Sequence, residues 1–195
     1  ATPNPRGSFR PAALAAAAGA LALISPALLR GRGLLAVSDL WRVPPWNAVL
    51  PAARGNGLLA DQLLQFLPWR EFLRTELLQG RFPLWNPYIL GGVPFAGCLQ
   101  AAPFHPLSWG LFFLPAVPYS LVAAFLKIFA AGLFTSLHLR RLGAWPRGAM
   151  LGGLTFSLGG FMTCWLGHPH ANAACLLPGL FWGLGRLSDA PTPRR

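Results

Sequence analysis

Charged residues are scarce in this sequence. Lys, Arg, Asp and Glu make up 11% of its 195 residues, whereas hydrophobic residues make up 54%. A soluble domain contains about 25% charged residues, since it needs polar surface facing water. So little charge excludes an ordinary soluble globule and indicates a chain whose solvent is partly lipid.

Acidic residues are rarer than basic ones. Five Asp and Glu stand against sixteen Lys and Arg, which gives a net charge of +11. A nucleic-acid-binding protein collects its basic residues on one face or in a run. Here they occur singly or in pairs between apolar stretches, as at Arg140 and Arg141. We therefore predict no nucleic-acid partner and expect the arginines to mark the ends of membrane spans.

Cysteine is also scarce, with three residues at positions 98, 164 and 175. They have neither the spacing of metal ligands nor the even number that a disulfide framework needs. The cysteines therefore identify no metal site and no redox compartment. We predict no definite cofactor, although a divalent cation could take part.

Long uncharged apolar runs are what the sequence has instead. Residues 11–29 carry no charge and follow Arg6 and Arg10. At about 1.5 Å per residue, this run can cross a hydrocarbon core about 30 Å thick. A cleaved signal peptide is the alternative. Its apolar region is usually ~7–15 residues long and ends at a small-residue cleavage site. This run is longer, and Leu29 to Arg32 offer no such site, so we favour an uncleaved span. Three further spans are predicted at 118–138, 148–166 and 171–186, the last interrupted by Pro178.

A long segment, residues 30–105, separates the first two predicted spans and holds four of the five acids. Residues 57–79 look helical in two pieces, with Pro68 in the first turn of the second piece and Gly80 at its C-cap. Apolar residues at helical spacing with charges between them are typical of a helix in the membrane interface. Beyond it, frequent prolines and glycines predict irregular structure until about Leu107.

Arginines orient the predicted spans. Arg140, Arg141 and Arg147 lie in the short connection between the second and third spans, and short loops rich in arginine are cytoplasmic. The N-terminus is then cytoplasmic, while residues 30–105 and the predicted turn at 167–170 face outward. The sequence thus predicts an all-α, multi-pass protein of a bacterial-type inner membrane, with about four transmembrane helices and a long outward loop carrying interfacial helices.

Asp61 is the first candidate for a catalytic residue. It lies in the outward interfacial segment, where a carboxylate could take a proton from an acceptor hydroxyl or hold a divalent cation. A short acidic side chain before a helix could equally cap that helix. Spacing alone does not choose between these two roles.

Several short motifs along the chain form a recognisable pattern. They are Ser38-Asp39-Leu40, Pro44-Pro45-Trp46, Asp61-Gln62, Gln65 to Arg70, Gly80 to Tyr88, Gly91 to Pro94, Gln100, Pro106, Arg140 to Gly143 and Gly167 to Asn172. Over residues 34–187 the chain resembles the YfhO-like family of bacterial membrane proteins. The resemblance implies that residues 1–195 form one N-terminal membrane portion of a longer protein.

Members of this family are similar to GT-C glycosyltransferases, polytopic enzymes that use lipid-phosphate sugars as donors. In those enzymes the first outward loop carries an essential acid, which the pattern places at Asp61, with Asp39 as the second candidate. The resemblance implies an inverting transfer of a sugar from a polyprenyl-phosphate donor to a cell-envelope acceptor. Asp39 directly follows Ser38 and could instead cap a helical turn.

Three charged or titratable residues are candidates for holding the donor. His168 and His170 flank Pro169 in the predicted outward turn and could bind a phosphate oxygen or a metal. Without a third ligand the metal signal is weak, and a polar turn is the structural alternative. Lys127 lies near the middle of the second predicted span, where a charge costs roughly 2.5–3.5 kcal/mol. It could contact the donor phosphate, pair with an acid or snorkel.

Three residues of the irregular outward loop are candidates for holding the sugar. Trp85 could stack on a sugar ring, while Asn86 and Gln100 could hydrogen-bond its hydroxyls. Such residues more often satisfy loop backbone or anchor the chain at the interface.

Two other functions fit the same residues. A transporter or flippase of a lipid-linked substrate would account for Lys127 and Pro178 inside spans, since buried charges and broken helices mark transport pathways. A noncatalytic membrane assembly subunit is the other alternative, with the outward loop docking a partner.

Overall fold

The computed structural model describes residues 9–52, 55–107 and 110–189. The chain divides into two compact units. We call residues 1–26, 124–166 and 170–195 the helical unit, and residues 27–123 and 167–169 the loop unit.

Helices dominate the described chain. The α-helices are α1 (Phe9–Leu29), α2 (Leu67–Leu78), α3 (Ala116–Arg141), α4 (Pro146–Ser157), α5 (Gly160–Cys164) and α6 (Pro169–Asp189). Short 3₁₀ turns cover Val37–Arg42, Trp46–Ala48, Gly57–Leu59 and Leu99–Ala101, and a π-helical turn covers Gln62–Phe66. Two short strands, β1 (Trp85–Asn86) and β2 (Val93–Pro94), pair antiparallel.

Two of the described helices, α1 and α3, are long and apolar enough to cross a membrane. They extend the spans predicted at 11–29 and 118–138 by two or three residues at one or both ends. The prediction of a mostly helical chain is confirmed, and two helices qualify as candidate membrane spans by length and composition, whereas four transmembrane helices are not confirmed.

The third predicted span, 148–166, is not a single helix. Helix α4 ends at Ser157 and α5 begins at Gly160, with Gly159 extended between them. A Cβ at Gly159 would lie 2.8 Å from the carbonyl oxygen of Thr155, so the bend requires a glycine there. The fourth predicted span is continuous in α6, which runs through Pro178.

Small residues pack the helical unit. A Cβ added at Gly132 of α3 would lie 3.2 Å from both Ala16 Cβ of α1 and Ser157 Oγ of α4. A Cβ at Gly153 of α4 would collide with Ser136 and with the Gly132 carbonyl. Membrane helices associate through such small residues because these let two backbones approach closely.

The C-terminal end of α3 carries Arg140 and Arg141 in its last turn. The prediction that both lie in the following connection is therefore wrong by one helical turn. Gly143, at φ +91°, ends the helix, with its amide bonded to the Arg140 carbonyl and the next amide bonded to Leu139. Arg141 donates to the Gly185 carbonyl at 2.8 Å and to Asp189 at 3.0 Å, so the ends of α3 and α6 lie side by side.

The loop unit is organised around α2. Pro68 lies in its first turn, and Gly80, at φ +72°, follows its last residues, as predicted. The buried side chains of Leu73, Phe95 and Phe112 form a small core between α2 and the irregular segments. The sequence analysis expected irregular structure here and missed the β1–β2 hairpin.

Candidate functional site

The π-helical turn Gln62–Phe66 holds His168 in the loop unit. The Nε2 atom of Gln62 lies 3.3 Å from Nδ1 of His168. The Phe66 ring meets the imidazole edge to face at 5.3 Å between centroids, and His168 is only 3% exposed. A Cβ at Gly167 would collide with the Gln62 amide, so that amide also packs against the backbone beside His168.

Asp61 directly precedes this π-helical turn. Its backbone is helical, its side chain is exposed, and it makes no capping hydrogen bond. The geometry therefore gives no support to the structural alternative, in which Asp61 caps the helix. An exposed carboxylate is free to approach a ligand from solution, as a general base must.

Asp39 is 2% exposed and lies inside the 3₁₀ turn Val37–Arg42. Its Oδ1 is 3.2 Å from Nε of Arg42, and a Cβ at Gly55 would collide with its carboxylate. This turn lies against the π-helical turn. No side-chain cap bond forms at the start of the turn. The buried Asp39 carboxylate therefore acts through its ion pair with Arg42, whose side chain is 48% exposed, and not as a cap.

Gln100 is joined to the same π-helical turn. The Gln65 Nε2 group donates a hydrogen bond of 2.8 Å to Gln100 Oε1, at an exposed position. Two candidates distant in sequence, His168 and Gln100, are thus bonded by side chains three residues apart on one helical turn. Spacing could not have identified Gln62 or Gln65 as their partners.

Asn86 and Trp85 lie in the hairpin. Asn86 is 2% exposed, and its Oδ1 accepts a hydrogen bond of 3.0 Å from the Tyr88 amide, which is a turn-forming contact. Trp85 is 54% exposed and its indole packs against Gly92, at φ +120°, where a Cβ would collide with the ring. Trp85 therefore keeps accessible ring surface, whereas Asn86 serves its own loop.

Lys127 and His170 belong to the helical unit, while the other six candidate residues belong to the loop unit. Lys127 is 8% exposed, and its Nζ donates a hydrogen bond of 2.9 Å to the Leu166 carbonyl. The prediction of a turn at 167–170 is wrong in its second half, because Pro169 begins α6 and places His170 in the first helical turn. The His170 ring lies 4.9 Å from that of Trp165.

Arg70 is a buried charge that the sequence analysis did not single out. It is 6% exposed, donates to the Leu114 carbonyl and to Glu71, and lies 4.0 Å over the Tyr119 ring. Burial lowers the pKa of the guanidinium, and Glu71 acts in the opposite direction. The sequence did contain a signal for its burial. Arg70 lies three residues before Leu73, so both side chains are on the same face of α2.

No cluster of three or more His, Cys, Asp or Glu residues is placed to hold a metal in the parts of the chain that the structure describes. The possible divalent cation therefore stays a prediction.

Comparison with known proteins identifies no relative. No family model, no curated protein and no solved structure matches the chain. The resemblance to the YfhO-like family stays a prediction carried by the motifs alone.

Proposed function

We propose that this chain carries the catalytic carboxylate, acting as general base, of a GT-C-type membrane glycosyltransferase, which transfers a sugar from a polyprenyl-phosphate donor to a cell-envelope acceptor. The observation that carries the proposal is the position of Asp61. Its exposed carboxylate makes no cap bond and directly precedes the turn that holds His168. It also lies in the segment that follows the first candidate span, α1, where the resemblance expects the essential acid.

The reaction needs one base and one leaving group. Asp61 takes the proton of the acceptor hydroxyl as its oxygen attacks the anomeric carbon of the sugar. The bond between that carbon and the phosphate oxygen breaks, and the polyprenyl phosphate leaves with the electron pair. Attack from the face opposite the phosphate inverts the anomeric centre.

Local structure around Asp61 suits this role. Single π-helical turns occur frequently at functional sites, and the one after Asp61 contributes amide side chains that contact Gln100 and His168. Gln100 is exposed and can offer its remaining amide hydrogens to sugar hydroxyls. Trp85 has exposed ring surface on which a sugar could stack.

Transport is the weaker alternative. Its main support in the sequence is a lysine within a predicted span. The contact of Lys127 with the Leu166 carbonyl accounts for that buried ammonium without a transport pathway.

The proposal is tested with membranes that contain the protein and membranes from a strain that lacks it. Each is incubated with a panel of synthetic polyprenyl-phosphate sugars and an envelope fraction. Protein-dependent release of polyprenyl phosphate, together with labelled sugar on an envelope product, would support glycosyl transfer. Movement of the intact lipid-linked sugar across proteoliposomes without its consumption would favour a flippase instead.

A further inference from the structure

Gln62 and His168 form a side-chain contact between residues 106 positions apart. The atom of Gln62 that faces the ring is the amide nitrogen, Nε2, and the facing ring atom is Nδ1. An amide nitrogen only donates, so this orientation of the Gln62 amide favours an accepting Nδ1, and the single proton of a neutral imidazole is then on Nε2.

We propose that Gln62 is a positioning residue that holds His168 as the neutral tautomer protonated at Nε2. Neither the sequence motifs nor the resemblance assigns a role to Gln62. An imidazolium would place an N–H at Nδ1 against the N–H of the amide, and two donors facing each other repel.

The surroundings of Gln62 keep its amide in place. Its amide group packs against Gly167, where even one added carbon would collide with it. Phe66 fixes the plane of the imidazole from one side, and the ring is nearly inaccessible to water. Gln62 and Phe66 thus contact the ring from two sides.

The tautomer decides what His168 can do in the proposed reaction, and this step rests on the proposed function. With Nδ1 accepting from Gln62 and Nε2 carrying the proton, His168 cannot take a proton from the acceptor. It acts only as a hydrogen-bond donor. The role of general base then falls to the carboxylate of Asp61.

Nitrogen-15 NMR of histidine-labelled protein in nanodiscs tests the tautomer directly, at mildly alkaline pH where imidazoles are neutral. The His168 signals are assigned by their loss in His168→Gln. We expect the pyrrole-type signal, the one bearing hydrogen, at Nε2 and the pyridine-type signal at Nδ1. A hydrogen on Nδ1 in the wild-type protein would overturn the inference.

Substitution of Gln62 tests what causes that preference. In Gln62→Glu the side chain can only accept, so the pyrrole-type signal should move to Nδ1. In Gln62→Met, which keeps the length but has no donor, the two tautomers should become mixed. Gln65→Glu is the matched control, because Gln65 lies on the same turn but bonds to Gln100, and it should leave the His168 signals unchanged.

The outcomes separate this inference from the proposed function. An unchanged Nε2 tautomer in both Gln62 variants would refute the role of Gln62 whatever the enzyme does. A correct tautomer in a protein that transfers no sugar would leave Gln62 as the positioning residue and refute the proposed glycosyl transfer.

Discussion

The ammonium group of Lys127 donates a hydrogen bond of 2.9 Å to the carbonyl oxygen of Leu166. Leu166 follows Trp165, the C-cap of α5. Leu166 lies just beyond that helix, so its carbonyl belongs to the connection that leads to α6. Lys127 thus satisfies a backbone acceptor of this connection, and its burial has a structural cause.

We expect Lys127→Met to change stability little. Leaving the Leu166 carbonyl unpaired costs about 1–3 kcal/mol, while removing a charge from mid-span recovers roughly 2.5–3.5 kcal/mol. The thermal unfolding midpoint in detergent should therefore shift only slightly. The KM for the lipid donor should stay within about twofold, because Lys127 makes no contact with the donor that its replacement could remove. A rise in KM of tenfold or more, with unchanged stability, would instead identify Lys127 as a donor contact.

Arg70→Met should destabilise the loop unit. The Leu114 carbonyl and Glu71 would both lose a partner, and an unsatisfied buried acceptor costs about 1–3 kcal/mol. Stacking on Tyr119 would also be lost, which adds about 0.5–2 kcal/mol. Protease susceptibility of residues 30–115 reports the loss.

Arg74→Met is the matched control for Arg70. Arg74 donates to the neighbouring carbonyl of Phe113 at 3.3 Å, but its side chain is more exposed, at 27% against 7%. Its replacement should cost below about 1 kcal/mol. Equal protease resistance of the two variants would show that burial of Arg70 contributes nothing.

The orientation of the chain can be measured by cysteine labelling in intact cells. In a variant without native cysteines, Asn47→Cys reports on the predicted outward loop, and Gly148→Cys reports on the start of the third predicted span, directly after the predicted cytoplasmic connection. Asn47 is exposed, and a Cβ at Gly148 meets nothing within 4 Å, so neither change should disturb packing. A membrane-impermeant reagent should label position 47 alone. Labelling at 148 but not at 47 would reverse the predicted topology.

Local patterns predicted the elements that depend on local causes. Helices α1 and α3 follow from long apolar runs. The limits of α2 follow from Pro68 and Gly80, because proline suits the first turn of a helix and glycine suits the residue that ends it. The break in the third predicted span also had a local signal, the adjacent pair Gly159-Gly160, which hydropathy outweighed. Pro178 was expected to interrupt its span, but α6 runs through it.

Contacts between distant residues were beyond prediction. The partners of His168, Gln100 and Arg70 come from segments 35 to 106 positions away, and no spacing rule relates such positions. The hairpin at Trp85 was missed because two-residue strands are too short to show alternation. The sequence could therefore suggest candidate polar residues but could not predict which of them contact one another.

The central claim is that Asp61 is the base, and Asp61→Asn tests it most directly. Asn keeps the shape and the capping ability of Asp, so the variant should fold and insert normally. Glu76→Gln is the control, since it removes another acid of the same segment, one that is paired with Arg81 at the surface.

Transfer rates are compared in membranes that contain equal amounts of each protein. The account predicts a loss on the order of 10²-fold or more for Asp61→Asn, the scale of a missing general base, and wild-type turnover for Glu76→Gln. Wild-type turnover in Asp61→Asn would contradict the role assigned to Asp61.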